Sequence, residues 1–183
     1  MMNKAIYLNT DLCSGCGACA VACMDENDIY PEKGQPSLRR IYQIEEGEFP
    51  NASIQYVSAS CMHCQDSPCV IGCPTGAMTR DDGGAVAVNK ELCIGCHSCA
   101  LACPFGVPRY DQEGKMQKCD LCKERVEADL EPACVRVCPI GALKFDSVNK
   151  VQGEKEFRLA GSIVNAVSTA ASSKASKKQK SSS

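Results

Sequence analysis

The sequence predicts an α+β protein of short strands and one-turn helices. It reads as two similar units, one inserted into the other, followed by a C-terminal helix and a polar tail. Three observations carry that expectation. Sixteen cysteines fall into four groups of four, with none left over. Strand-like segments flank those groups in a repeating order. Large side chains are scarce: aromatics make up 5% of the 183 residues and tryptophan is absent, so an apolar core is small for the length and something inorganic must staple the fold.

The elements follow in sequence order. "AIYLN" (5–9) reads as a strand and leads into the first group, "CSGCGACAVACM", with Cys13, Cys16, Cys19 and Cys23. Residues 24–57 then hold two strand-like pieces, "RRIYQIE" and "SIQYVS", expected as a hairpin-like insertion. The second group, "CMHCQDSPCVIGCP", supplies Cys61, Cys64, Cys69 and Cys73, with its middle gap widened to four. "AMTR", "DDGG" and "AVAVN" read as strand, turn and strand. The third group, "CIGCHSCALACP", supplies Cys93, Cys96, Cys99 and Cys103, and "CALAC" (99–103) is one helical turn. Residues 104–118 read as a loop. The fourth group supplies Cys119, Cys122, Cys134 and Cys138, its middle gap of eleven filled by "KERVEADLEPA" (123–133), a short helix ended near Pro132. "GALKFD" (141–146) follows group four as "GAMTRD" follows group two, and "AIYLN" precedes group one as "AVAVN" precedes group three. Each outer group has the strand that the other lacks, which is the basis for nesting.

The cysteine spacing has a chemical reading. Three cysteines separated by two residues each wrap a tight loop around one metal group, with Gly15, Gly17 and Gly95 allowing close backbone approach. Three of the groups end in Cys-Pro (Pro74, Pro104, Pro139) and the first ends in Cys23-Met24. Disulfides are disfavoured because no secretory signal opens the sequence, and thiols stay reduced in the cytosol. Zinc also takes paired C-x2-C thiols, but a third cysteine two residues on and a proline after the fourth are not its pattern. A radical-generating cluster needs an open three-cysteine site and a substrate domain, and neither is visible.

C-x2-C-x2-C-x3-C-P in group three is the bacterial ferredoxin run for cubane clusters, in which the fourth cysteine ligates the other cluster of a pair. Over residues 5–146 the sequence resembles the four-cluster iron–sulfur subunits of molybdenum or tungsten oxidoreductases. These include the electron-transfer subunits of dimethyl sulfoxide reductase, formate dehydrogenase and formate-linked hydrogenase complexes. The resemblance implies two ferredoxin-like units: residues 58–108 form the inner one, and 1–57 with 109–150 form the split outer one. It implies four 4Fe-4S clusters with crossed ligand sets. Cys13, Cys16 and Cys19 go with Cys138, and Cys61, Cys64 and Cys69 with Cys103. Cys93, Cys96 and Cys99 go with Cys73, and Cys119, Cys122 and Cys134 with Cys23. It further implies a wire between a pterin-bearing molybdenum or tungsten catalytic subunit and a second redox partner, such as a hydrogenase, flavin or quinone-linked subunit.

The remaining residues bound the function. Twenty basic against twenty-two acidic residues leave a net charge of −2, which calls for no nucleic acid and weakens the alternative of a free, strongly acidic polyferredoxin carrier. No catalytic triad, phosphate loop or dinucleotide fingerprint appears, so the protein is expected to move electrons without substrate chemistry. His63 and His97, inside cysteine loops, read as solvent-facing, and Arg39, Arg40, Arg109, Lys115, Lys118, Lys123, Arg125 and Arg136 as solvated surface charge. At the C-terminus, residues 151–172 are expected to form a docking helix. Phe157, Ala160, Val164, Val167 and Ala171 form its apolar stripe, widened by Leu159 and Ile163, within 154–172. A second alternative follows from it: a conducting scaffold that assembles with itself through that helix. Residues 173–183 read as a disordered basic tail. No run of eighteen apolar residues suggests a transmembrane helix, and the expected location is cytoplasmic.

Overall fold

The computed structural model describes residues 4–156, together with Leu159, Ala160 and Ser162. Among the described residues, eight short strands form four separate two-stranded sheets rather than one continuous sheet. β1 (Lys4–Leu8) pairs with β8 (Leu143–Ser147), joining the two ends of the cysteine-bearing region. β4 (Met78–Arg80) pairs antiparallel with β5 (Val86–Val88) in its middle. Between group one and group two, β2 (Arg40–Glu46) and β3 (Ser53–Ala59) make the expected hairpin, with Arg40 opposite Ala59 and Glu46 opposite Ser53.

The segment read as a loop, 104–118, is instead another hairpin. β6 (Arg109–Tyr110) pairs with β7 (Met116–Gln117) across a turn that repeats the chemistry of the β4–β5 turn. In both, an aspartate closes the turn with its own carboxylate. Asp81 Oδ1 accepts from the Ala85 N–H at 2.8 Å, and Asp111 Oδ1 from the Lys115 N–H at 2.8 Å. In both, the glycine three residues on takes φ above +70° (Gly84 +94°, Gly114 +73°), which only glycine adopts at no steric cost. The shared signal, D-x-x-G, is present in "DDGG" and "DQEG"; strands of two residues are too short for alternation to reveal them.

The helices are one to two turns long. α1 (Ala18–Glu26), α2 (Pro68–Ile71) and α3 (Ser98–Ala102) each carry a group's third cysteine. The helix expected across 123–133 stops at Glu127 (α4, Lys123–Glu127), because Asp129 turns left-handed at φ +58° and Pro132 bars continuation. A separate α5 (Ala133–Arg136) then begins directly after that proline, whose missing N–H and fixed φ suit a helix start.

Among the described residues, three small cores carry the packing, the smallest made of Cys23, Ile29 and Leu38 with Met24 against them. In the first of the larger two, Cys19, Cys134, Val135 and Leu143 pack with Ile6, Leu8, Ile41, Cys138 and Phe145, so α1, α5, β1 and β8 meet around sulfur atoms. In the second, Met78, Val86, Cys99 and Met116 pack with Cys69, Val70, Cys73, Val88, Cys93 and Tyr110. Met116 and Tyr110, from the unexpected hairpin, thus pack into the core formed by groups two and three. A second unit begins at Ser147, and its described residues are helical over 148–156, with Gln152 Nε2 donating to Glu156 Oε1 at 3.0 Å. Most of the apolar stripe (Phe157, Ile163, Val164, Val167, Ala171) and the tail lie outside the described residues. Among the described residues no helix is long and apolar enough to cross a membrane.

Leu143 tests how far these small cores matter. It is 4% exposed and fills the space between β1 and the α1–α5 pair. Leu143→Ala should cost about 2–5 kcal/mol and be read as a lower temperature of iron release on heating. Leu101→Ala, at a site 88% exposed, should leave that temperature unchanged.

Candidate metal centres

Each cysteine group uses the same backbone device. The residue immediately before the second cysteine is left-handed in all four: Gly15 (φ +70°), His63 (+46°), Gly95 (+68°) and Leu121 (+71°). Glycine takes this conformation freely, whereas histidine and leucine do so at a cost that surrounding structure must outweigh. The reversal folds the loop back so that its cysteines face one space. At two of the loops no side chain would fit: a Cβ on Gly15 would stand 2.3 Å from the Tyr56 ring, and one on Gly95 2.6 Å from the Gly114 carbonyl oxygen.

The loops open onto two similar cavities. One is lined by Cys93, Cys96 and Cys99 together with Cys73 from the second group. The other is lined by Cys13, Cys16 and Cys19 together with Cys138 from the fourth group. Thiols from opposite ends of the cysteine-bearing region therefore surround one space. Among the other eight cysteines, Cys23, Cys69 and Cys119 show their neighbours through their ionisation. Burial pushes the Cys23 thiol up to about 12, with Cys119, Cys134 and Cys122 adding to it and Arg39 opposing it. Burial likewise raises Cys69, with Lys118 opposing and Cys61 and Cys103 adding. Cys119 is pushed up to about 11 by burial, and Cys61 is one of the thiols facing it. Iron entering these sites must therefore displace protons.

The donor chemistry fits iron–sulfur clusters. Four thiols line each cavity, and hydrogen-bond donors surround the sulfurs: Met116 N lies 3.5 Å from Cys93 Sγ, His63 N 3.4 Å from Cys61 Sγ and the Tyr110 hydroxyl 3.4 Å from Cys99 Sγ. Among the described residues no three thiol, imidazole or carboxylate groups converge tightly enough for a single metal ion. The cysteines stand around a volume instead. An orphaned donor points the same way. His63 Nδ1 accepts from the Val86 N–H at 2.9 Å, which leaves the proton on Nε2, and that buried atom has no protein partner among the described residues. A group bearing acceptor sulfurs would satisfy it.

Four side chains need comment against the sequence expectation. His63 is 8% exposed, not solvent-facing, and burial followed by the charges of Lys118, Arg80 and Arg39 pushes it down to about 3, so it is neutral. His97 is exposed as expected, yet it stacks on Tyr110 with ring centroids 3.8 Å apart. Arg39 and Lys118 are not surface charge: they are 2% and 6% exposed. Arg39 donates to Ser58 and Ser60, and Lys118 to the Val86 and Cys119 carbonyls. A buried cation is costly unless negative charge lies near, and thiolate-held clusters are anionic. Residue type alone does not distinguish these two from their exposed counterparts, so no sequence signal marks them.

Comparison with known proteins agrees with this geometry. The 4Fe-4S dicluster domain family matches residues 52–148, and a second model of the same description matches residues 12–78. The sequence is 40% identical to a component of the anaerobic dimethyl sulfoxide reductase of Haemophilus influenzae over 162 residues, covering 83% of this protein and 78% of that one. It is 44% identical to the thiosulfate reductase electron transfer subunit of Salmonella typhi, covering 85% of each. It is 37% identical to a component of the sulfite dehydrogenase of Allochromatium vinosum, covering 84% of this protein and 72% of that one. This protein belongs to the 4Fe-4S dicluster family of ferredoxin-type electron-transfer subunits, the non-catalytic partners in complexes of the dimethyl sulfoxide and thiosulfate reductase kind. Its sixteen cysteines and two dicluster matches correspond to four 4Fe-4S clusters.

Gly95→Ala tests the loop geometry. The added methyl meets backbone at a positive φ, so the substituted protein should lose the iron of one cluster. Gly76→Ala, also at positive φ but with open space around it, should keep its full iron content by colorimetric assay.

Proposed function

We propose that this protein relays single electrons between a molybdenum–pterin catalytic subunit acting on a sulfur-oxygen compound and a second redox partner. The names of the three relatives support the first partner; all concern oxidised sulfur compounds, and none concerns formate. A cubane held by four thiolates supplies reversible one-electron storage and leaves no iron position open for substrate.

The observation that carries this reading is the cavity bringing Cys138 to Cys13, Cys16 and Cys19. We assign the crossed sets accordingly. Cys13, Cys16, Cys19 and Cys138 hold one cluster, and Cys93, Cys96, Cys99 and Cys73 another, supported by the two cavities. Cys61, Cys69 and Cys103, and Cys119, Cys122, Cys134 and Cys23, are supported by the thiol neighbours named above, and Cys64 joins the first of these sets through its C-x2-C pairing with Cys61. The inner unit, 58–108, is nested in the outer one and carries the 109–118 hairpin with it; the β1–β8 pairing supports this. Contacts between sets then order them. Helix α3 joins the Cys96 set to the Cys69 set, Cys61 faces Cys119, and Cys134 faces Cys19. Cys96 and Cys16, the two exposed cysteines, belong to the sets at the two ends of that series, where partners would dock. Assembly in the cytoplasm, where thiols stay free, suits all sixteen unpaired cysteines.

Anaerobically prepared protein should carry about sixteen iron and sixteen acid-labile sulfide per molecule, four of each per cubane. Stoichiometric zinc, or iron near half that value, would contradict the reading. Cys23→Ser should alter the spectrum of the cluster held by Cys119, Cys122 and Cys134. Alteration of only the cluster held by Cys13, Cys16 and Cys19 would show that each group closes its own cubane.

A further inference from the structure

Arg39 is the most deeply buried cation among the described residues, at 2% exposed, and no carboxylate pairs with it there. Its guanidinium is held by neutral oxygens and by the Cys134 sulfur, to which it hydrogen-bonds. Nη1 donates to Ser58 Oγ at 2.9 Å and to the Ser58 carbonyl at 3.4 Å, and Nη2 donates to Ser60 Oγ at 2.7 Å. A full charge so placed is unfavourable unless an anion answers it. What lies beyond the serines is sulfur. Ser58 Oγ is 3.3 Å from Cys19 Sγ, and Cys19 packs in one core cluster with Cys134.

The direction of the Ser58 bond can be assigned. A guanidinium only donates, so Ser58 Oγ accepts from it, and a metal-bound thiolate only accepts. The serine proton therefore points at Cys19 Sγ. The result is a polarised path from Arg39 through the Ser58 hydroxyl to Cys19. On the other side the guanidinium hydrogen-bonds the Cys134 sulfur and lies close to Cys23 and Cys119.

We propose that Arg39 is a positioning residue for charge, set between two adjacent clusters of the outer unit, and that it raises the reduction potential of both. It acts directly on the cluster held by Cys119, Cys122, Cys134 and Cys23, and through Ser58 on the cluster held by Cys13, Cys16, Cys19 and Cys138. Reduction adds one negative charge to a cluster, so a fixed cation in a low-dielectric interior stabilises the reduced form more than the oxidised one. No comparable buried cation serves the set of Cys93, Cys96, Cys99 and Cys73 among the described residues: of the two lysines there, Lys115 is only part-buried on the Cys93 carbonyl, and Lys118 faces Cys69 and Cys119. The proposal rests on the crossed ligand sets given above.

EPR-monitored redox titration of the sixteen-iron protein tests it. Arg39→Gln should lower two of the four midpoint potentials, by about tenfold in the oxidised-to-reduced ratio, or about 59 mV for one electron. Ser58→Ala should lower only one of those same two. Arg39→Lys, which keeps the charge, should hold both closer to the parent values than Arg39→Gln does. Should Arg39→Gln shed iron, the double variant Ser58→Ala/Ser60→Ala removes the hydroxyls that aim the guanidinium, and the same two potentials should fall. Unchanged potentials, a uniform shift of all four, or Arg39→Lys falling as far as Arg39→Gln would overturn the proposal. Failure of the crossed sets is read separately: Ser58→Ala and Cys23→Ser would then alter the same cluster rather than two different ones.

Discussion

In the arrangement proposed here, each cluster draws three thiolates from one tight loop and the fourth from a distant segment. The bonds to iron thereby do what a hydrophobic core does elsewhere. The two larger core clusters support this: five of their eight buried residues carry sulfur (Cys19, Cys99, Cys134, Met78 and Met116), and the strands around them have at most seven residues. Short strands and one-turn helices are not stable alone in water. They hold their places because metal binding and folding are one event in a unit of this size. The β1–β8 pair closes the outer ends of the same region, and in the proposed arrangement it would keep Cys138 beside Cys13, Cys16 and Cys19.

Burying so many thiols creates an electrostatic problem, and the structure meets it unevenly. Arg39 and Lys118 are both withdrawn from solvent, and both face cysteines in the middle of the series. In the proposed order the two end sets open to solvent at Cys16 and Cys96, where water screens charge, and only the first of them is also reached by Arg39, through Ser58. Neutral His63 fits the same logic, because burial disfavours its charge and a further cation beside Lys118, Arg80 and Arg39 would repel all three. Charge thus differs along the relay even though every ligand is the same residue type.

The cysteine groups, the α+β class and the principal strands were legible in the sequence, because cysteine spacing follows from cluster size and the strands are patterned. The β6–β7 hairpin was not, since two-residue strands carry no periodicity; only the D-x-x-G turn it shares with β4–β5 marks it. The break between α4 and α5 was hidden by a pattern of charged helix formers that continues to Pro132, although Asp129 has already left the helix. The left-handed positions were half legible: Gly15 and Gly95 announce them, and His63 and Leu121 conceal them in the same loop. Burial of Arg39 depends on Ser58 and Ser60, at the far end of the β2–β3 hairpin's chain path, and no local pattern reports that.

Anomalous X-ray scattering at the iron edge, measured on crystals of the anaerobically prepared protein, addresses the crossed ligand sets directly. The account predicts four separate iron peaks in a row, with Cys138 closing the cluster of Cys13, Cys16 and Cys19, and Cys23 closing that of Cys119, Cys122 and Cys134. Four peaks each ringed by the cysteines of a single sequence group would contradict it.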